Sequence, residues 1–180
     1  MINHRNESFF DFLLWYHYIS KMKANVITRS MKLPFNIENV FQFFCDVKNL
    51  QRITPPELNF KILTPRPIEI IEGITIDYQM SLFKIPFLWR SKITVWNPPF
   101  EFVDSQIKGP YNIWVHTHRF HGDNNNTTIE DRVLYRLPLW PIGEMAHWLV
   151  RAQLNRIFDY RLKTIKEIFL KEHKSLSGNS

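Results

Sequence analysis

The sequence predicts an α+β domain in which a curved, seven-stranded antiparallel sheet wraps around one long C-terminal helix. Three observations predict it. Apolar runs with period-two alternation recur from residue 58 to residue 137, each divided from the next by turn chemistry. After residue 141 a 3.6-residue pattern replaces them. A chain of 180 residues with 44% hydrophobic content is long enough for one well-filled domain and too short for two comfortable ones.

The first strand is expected near residues 24–32, starting at Asn25-Val-Ile-Thr-Arg-Ser-Met. Pro34 stops it, because proline has no N–H for a ladder and holds φ fixed. Two short helical pieces follow: Asn36 stands at a cap position ahead of Val40, Phe41, Phe44 and Val47 at helical spacing, and Pro55-Pro56 ends the region. Strands are then expected at 58–64, 74–82, 87–97, 100–108, 112–122 and 127–137. The punctuation between them is Pro65-Arg-Pro67, Glu72-Gly73, Pro98-Pro99, Gly109-Pro110 and Gly122-Asp-Asn-Asn-Asn. Connections this short require antiparallel neighbours, since a parallel crossover takes a dozen residues or more.

From about Pro141 to Leu170 the pattern reads as a helix roughly 45 Å long at 1.5 Å per residue. Ala146, Val150, Leu154, Ile157, Phe158, Ile165, Ile168 and Phe169 form its apolar stripe, with Arg156, Asp159, Lys163, Lys166 and Glu167 outside it. Arg161 falls near the middle of the stripe, where an unpaired charge is costly. It should meet a carboxylate, a carbonyl or a bound anion, or snorkel out at the edge. Residues 1–22 read as an N-terminal extension, with Met22 an alternative start, residues 23–170 as the domain, and residues 171–180 as a disordered tail.

The chain carries a net charge of +6, yet its basic residues are scattered and no nucleic-acid-reading motif accompanies them, so a nucleic-acid partner is not expected. Cys45 stands alone, which excludes an intrachain disulfide. It reads as a small buried hydrophobe ahead of an activated thiolate. The apolar run 9–19 is broken by Asp11 and His17 and is too short to span a bilayer, and it fits a secretory signal poorly. The expected setting is cytoplasmic, with residues 9–19 a candidate for transient membrane contact. No nucleophile elbow, phosphate-binding glycine loop or dinucleotide fingerprint appears, and no cofactor is expected.

The chemistry concentrates between Trp114 and Tyr135. In a hairpin turning between Asn124 and Asn125, Trp114, His116, His118 and Phe120 share one face, and His118 stands opposite Asp131 with His116 opposite Val133. A turn at Gly109-Pro110 sets Phe102, Asp104 and Gln106 across from His118, His116 and Trp114. Two histidines and Asp131 suit either a metal set or a buried hydrogen-bonded network. If His118 faces Asp131, the carboxylate fixes its tautomer and favours its protonation, which would permit acid–base work. Arg161 has two readings: an ion pair with Asp104 and Asp131, or a group that receives the polar head of a ligand.

The chain resembles the START-like (SRPBCC) superfamily, in its small bacterial ligand-binding branch related to polyketide cyclase/dehydrase and coenzyme Q-binding START proteins. The resemblance lies in Phe41-Gln-Phe-Phe-Cys-Asp-Val-Lys-Asn-Leu with Ile53-Thr-Pro-Pro, Gly73-Ile-Thr-Ile-Asp-Tyr, Trp96-Asn-Pro-Pro-Phe-Glu-Phe-Val-Asp, Gln106-Ile-Lys-Gly-Pro-Tyr, Trp114-Val-His-Thr-His and Ile157-Phe-Asp-Tyr-Arg. It covers residues 24–170. It implies the helix-grip fold and a cavity for a hydrophobic molecule, and it implies no metal.

The expected function is therefore binding of a small or elongated hydrophobic ligand, such as a lipid, isoprenoid quinone or polyketide, as a carrier or sensor. The expected walls are Tyr78, Trp89, Ile93, Val95, Phe102, Trp114, Phe120, Val133 and Tyr135, closed by Ile157 and Phe158. Asp104, Gln106, His116, His118, Asp131 and Arg161 supply polarity. Release would use a gap between the long helix and loops near Pro65-Pro67 and Pro86-Phe87. One alternative is a cyclase, dehydratase or isomerase using His118 and Asp131 as its catalytic pair; another is a membrane or protein adaptor acting through residues 9–19.

Overall fold

A computed structural model describes residues 24–82, 84–138, 145 and 147–177. The extension 1–22, the aromatic run 9–19 and the stripe residue Ala146 lie outside the described residues. Strand β1 (Asn25–Leu33) is followed by helices α1 (Ile37–Cys45) and α2 (Val47–Arg52) and a 3₁₀ turn (Pro56–Leu58). Strands β2 (Lys61–Ile62), β3 (Thr75–Leu82), β4 (Ile85–Asn97), β5 (Glu101–Lys108), β6 (Ile113–Gly122) and β7 (Thr127–Arg136) follow, and helix α3 (His147–Ser177) comes last. The seven strands form one antiparallel sheet in the order β1-β7-β6-β5-β4-β3-β2. This is the helix-grip arrangement: consecutive strands are neighbours, and β1 returns to pair with the last.

Local chemistry sets the boundaries. Asn36 caps α1 by accepting from the Asn39 amide at 2.8 Å, and Asp46 both ends α1 and caps α2 by accepting from the Lys48 amide at 2.9 Å. The strand expected over 58–64 shrinks to Lys61–Ile62, because the 3₁₀ turn takes Leu58 and Asn59 adopts a left-handed conformation at φ 46°. Strand β4 begins at Ile85, so Pro86 and Phe87 lie in a strand and not in the loop the sequence suggested. Helix α3 runs to Ser177, past Leu170 where the apolar pattern places its end.

The β6–β7 register is the one the sequence predicts, with His118 opposite Asp131 and His116 opposite Val133. Its turn is held by Asp123, whose Oδ1 accepts from the amides of Asn125 (2.8 Å) and Asn126 (3.0 Å). Gly122 is required there: a Cβ would lie 2.3 Å from the Asn126 carbonyl oxygen. One residue slipped at this turn would send both histidines to the outer face.

Helix α3 lays Leu154, Phe158, Ile165 and Phe169 against the concave side of the sheet, while Arg156, Asp159, Lys163, Lys166 and Glu167 stay exposed. Arg29 on β1 fastens it, donating to Asp159 and Asn155 at 2.9 Å each. No helix among the described residues is long and apolar enough to cross a membrane.

Candidate functional site: a cavity with a histidine–aspartate end

Beneath α3 the interior leaves a cavity of about 180 Å³. The alternation of β3 and β4 makes one wall, with Tyr78, Trp89 and Ile93 facing inward. Phe102, Asp104, Trp114, His116 and His118 come from β5 and β6, and Ile157, Phe158 and Arg161 descend from α3. These eleven predicted site residues surround one space.

The other predicted wall residues do not reach it. Val95 is displaced by a β-bulge between Ile93 and Val95, which turns Trp96 inward to pack on Phe41 at 5.4 Å. Phe120 is buried in a solid cluster with Phe41 and Phe44, both 5.2 Å away. Val133 and Tyr135 pack with Ile27, Leu154 and Phe158. Gln106 is not paired with Trp114. Its amide nitrogen donates to the Tyr111 carbonyl at 2.6 Å and its oxygen accepts from the Tyr111 amide at 3.3 Å, which swings Tyr111 into the cavity wall.

Sequence reading missed Phe60, Ile76, Met80 and Tyr111 on the sheet side, and Phe44, Val47 and Leu50 at the α1–α2 edge. Ile76 and Met80 were within reach, since they alternate with Tyr78 on β3. Phe44 and Val47 were visible as apolar helix positions, but nothing in their spacing said which cavity they would border.

The polar end is built from two carboxylates on either side of two imidazoles. His118 Nδ1 lies 2.7 Å and His116 Nε2 3.3 Å from Asp131 Oδ1. On the opposite side, His118 Nε2 lies 3.4 Å and His116 Nδ1 3.6 Å from Asp104 Oδ2. Both histidines are 4% exposed and Asp131 is 2% exposed. Asp104 keeps 21% of its side-chain surface open because it borders the cavity. The Asp131 contacts are close charge contacts and not aligned hydrogen bonds: His118 Nδ1, His116 Nε2 and both Asp131 oxygens lack a partner in hydrogen-bond geometry. Phe102 stacks on His118 at 4.2 Å and 20°, and the two imidazoles lie 3.8 Å apart.

Burial opposes every charge here, and its balance with the neighbouring charges differs from group to group. For Asp131 the adjacent imidazoles overcome burial and hold the carboxyl well below the usual range. Asp104 is lowered in the same way by His118 and His116, with help from Arg161. Burial works against protonated His118, but the two carboxylates prevail and raise its pKa. For His116 burial wins, reinforced by repulsion from His118, and its pKa falls. The cluster thus shifts its two imidazoles in opposite directions, His118 toward the charged form and His116 toward the neutral one. Cys45 is no rival nucleophile, since burial pushes its thiol up to about 12.

Arg161 forms no ion pair with Asp104 or Asp131, which corrects one of its two expected readings. Its Nε is buried without a hydrogen-bond partner among the described residues, and its guanidinium carbon sits 5.4 Å from the centre of the Phe158 ring. A chain of donors steadies the opposite wall: Trp89 Nε1 donates to Ser91 Oγ at 2.9 Å, and Ser91 Oγ to Asp104 Oδ1 at 3.3 Å.

No family model matches the sequence. No curated protein matches it either. Solved structures do share its fold. An aromatase/cyclase from Streptomyces sp. R1128 is 12% identical with a TM-score of 0.64, the match covering 85% of this chain and 96% of that one. A START superfamily protein from Mycobacterium smegmatis is 9% identical with a TM-score of 0.60, covering 81% of this chain and 97% of that one. Norcoclaurine synthase from Thalictrum flavum is 12% identical with a TM-score of 0.60, covering 83% and 96%. The START-like resemblance seen in the sequence therefore holds as a shared helix-grip fold.

Proposed function

We propose that this protein binds a compact hydrophobic molecule with an acidic or carbonyl-bearing end, holding the apolar part among Tyr78, Trp89 and Trp114 and the polar end toward Arg161. The observation that carries this reading is the pairing of an apolar cavity with a buried arginine Nε that has no hydrogen-bond partner among the described residues. An unmatched buried donor on a guanidinium is costly, and a ligand oxygen would relieve that cost. Volume bears on size: an engineered apolar cavity of about 150 Å³ takes up benzene, so about 180 Å³ suits a one- or two-ring molecule or one end of a longer one. The likeness to an aromatase/cyclase and to START proteins is compatible with such a ligand, as a fold-level analogy.

Native mass spectrometry of protein purified from its own host tests the reading. The expected result is a small apolar adduct bearing an acid or carbonyl, lost in Ile76→Phe, which fills the cavity. Protein that is ligand-free and takes up no apolar anion, with no quenching of Trp89 or Trp114 fluorescence, would overturn it.

A second reading is favoured by one contact. His118 borders the cavity with Asp131 2.7 Å behind it, an arrangement suited to a cyclase, dehydratase or isomerase. Recovering the bound molecule after incubation separates the two, since a carrier returns it unchanged and an enzyme does not. If it is changed, His118→Ala that leaves turnover untouched removes this pair from the mechanism.

A further inference from the structure

The two sides of the histidine pair differ in spacing. On the Asp131 side, the 2.7 Å approach of His118 Nδ1 leaves no room for an ion between nitrogen and oxygen. On the Asp104 side, 3.4 and 3.6 Å are too long for good hydrogen bonds between these groups. They lie close to the separation of two ligand atoms across a tetrahedral metal ion, about 3.3–3.4 Å for bonds of about 2.0–2.1 Å. Ligand atoms from Asp104, His116 and His118 all lie within 4.8 Å of one another, so the edge between the two histidines closes by at most about 1.4 Å when one ion takes all three.

We infer that Asp104, His116 and His118 bind a divalent first-row transition-metal ion of the zinc type, with a fourth position open to the apolar cavity. The sequence had grouped the two histidines with Asp131; the geometry transfers the ligating role to Asp104 and leaves Asp131 behind the histidines as a positioning residue. A carboxylate on the far nitrogen of a ligating imidazole is the usual support that fixes ring orientation and raises basicity. Asp131 stands against the far nitrogens of both rings from one oxygen, at 3.3 and 2.7 Å, as a charge contact out of line for a hydrogen bond. Ser91 holds Oδ1 of Asp104 and leaves Oδ2 facing the imidazoles.

Charge then specifies what the open position takes. Two aspartates contribute −2, Arg161 contributes +1, neutral imidazoles contribute nothing, and a divalent ion brings the sum to +1. An anionic oxygen on the cavity ligand, a carboxylate or an enolate, neutralises it and faces both the ion and Arg161. The ion site itself goes beyond the ligand-binding reading and stands without it, because all three ligands come from β5 and β6. Only the choice of an anionic cavity ligand rests on that reading.

The test uses the full chain, stripped with chelator and checked for retained circular dichroism, then titrated with Zn²⁺ by calorimetry and with Co²⁺ by visible absorption, without any organic ligand. One ion per chain is expected, with the intense visible bands of tetrahedral Co²⁺. Asp104→Asn and His118→Ala should weaken binding at least 100-fold, and Asp131→Asn about 10–100-fold with an altered Co²⁺ spectrum. His121→Ala, at an exposed histidine beside Glu130, should change nothing. If His118→Ala fails to fold, Asp104→Asn still decides, since it keeps the side-chain shape. Absence of binding by the wild type, undiminished binding in Asp104→Asn, or loss in His121→Ala overturns the assignment. An apolar anionic probe, measured separately by tryptophan quenching, reports on the cavity reading alone.

Discussion

The two ends of the interior are roofed by the same helix and floored by the same sheet, yet one is solid and the other hollow. At the α1 end, rings interlock: Phe41 and Phe44 each meet Phe120 at 5.2 Å, and Phe169 meets Phe35 at 4.8 Å and Phe43 at 5.0 Å. At the β2–β4 end, Trp89, Trp114 and Tyr111 touch one another at 4.8–5.7 Å and leave the space in front of them empty. Aromatic content does not distinguish them. What differs is the supply of side chains from above: α1 inserts phenylalanines into one end, whereas β2 has only two residues and the chain from 63 to 73 forms no strand or helix. The histidine–aspartate cluster stands at the boundary, with Phe102 stacked on His118 from the solid side.

The comparison breaks most clearly at Phe41. Truncation to alanine in a close-packed cluster should cost about 3–5 kcal/mol, read as a lowered denaturant midpoint at unchanged slope. A loss below about 1 kcal/mol would mean the solid end is not solid. Next come two insertions of the same ring. Ile129→Phe at the packed end should cost about 1–3 kcal/mol by overpacking. Ile76→Phe, on the cavity wall, should be neutral or gain up to about 2 kcal/mol by filling space, while abolishing uptake of an apolar probe. Equal costs for the two would contradict a real difference in packing.

Arg161→Met sharpens the hollow end. The substitution removes only the weaker part of the charge support for Asp104, so it should change thermal stability little, and it should weaken an anionic probe about 10–100-fold relative to a neutral one. Destabilisation with unaltered selectivity would instead make Arg161 a structural cation. The smallest effect is expected outside both ends, at the exposed pair in which Arg90 donates to both carboxylate oxygens of Asp77. The Arg90 hydrogen bond lowers the Asp77 pKa against a small opposing burial effect. A carboxylate lowered on folding adds stability above its unfolded value of about 3.9, and that stability disappears as pH falls through the folded value. Asp77→Asn should therefore differ from wild type at pH 7 and converge with it in acid. A gap that widens in acid would reverse the sign.

Much of the fold was legible because turn chemistry and period-two alternation act locally. Pro98-Pro99, Gly109-Pro110 and the Gly122 turn mark strand ends regardless of what packs on them, and a hairpin with a defined turn fixes its own register, so His118 opposite Asp131 followed from counting residues. The bulge in β4 was not legible: one extra residue switches the inward face from Val95 to Trp96, and no local pattern announces it. Gln106 was misplaced for a related reason, since its hydrogen bonds to Tyr111 depend on the loop path and not on alternation.

By itself the sequence determined an antiparallel meander under one amphipathic helix and the sharing of a face by Asp104, His116 and His118, because these depend on side-chain direction along single strands and hairpins. Tertiary structure alone decided which apolar residues fill space and which enclose it, that Arg161 has no carboxylate partner among the described residues, and that the two aspartates stand at different distances from the histidines. Those are properties of volume and of distances between elements. They are fixed only when α3 is laid across the curved sheet, which no one-dimensional pattern specifies.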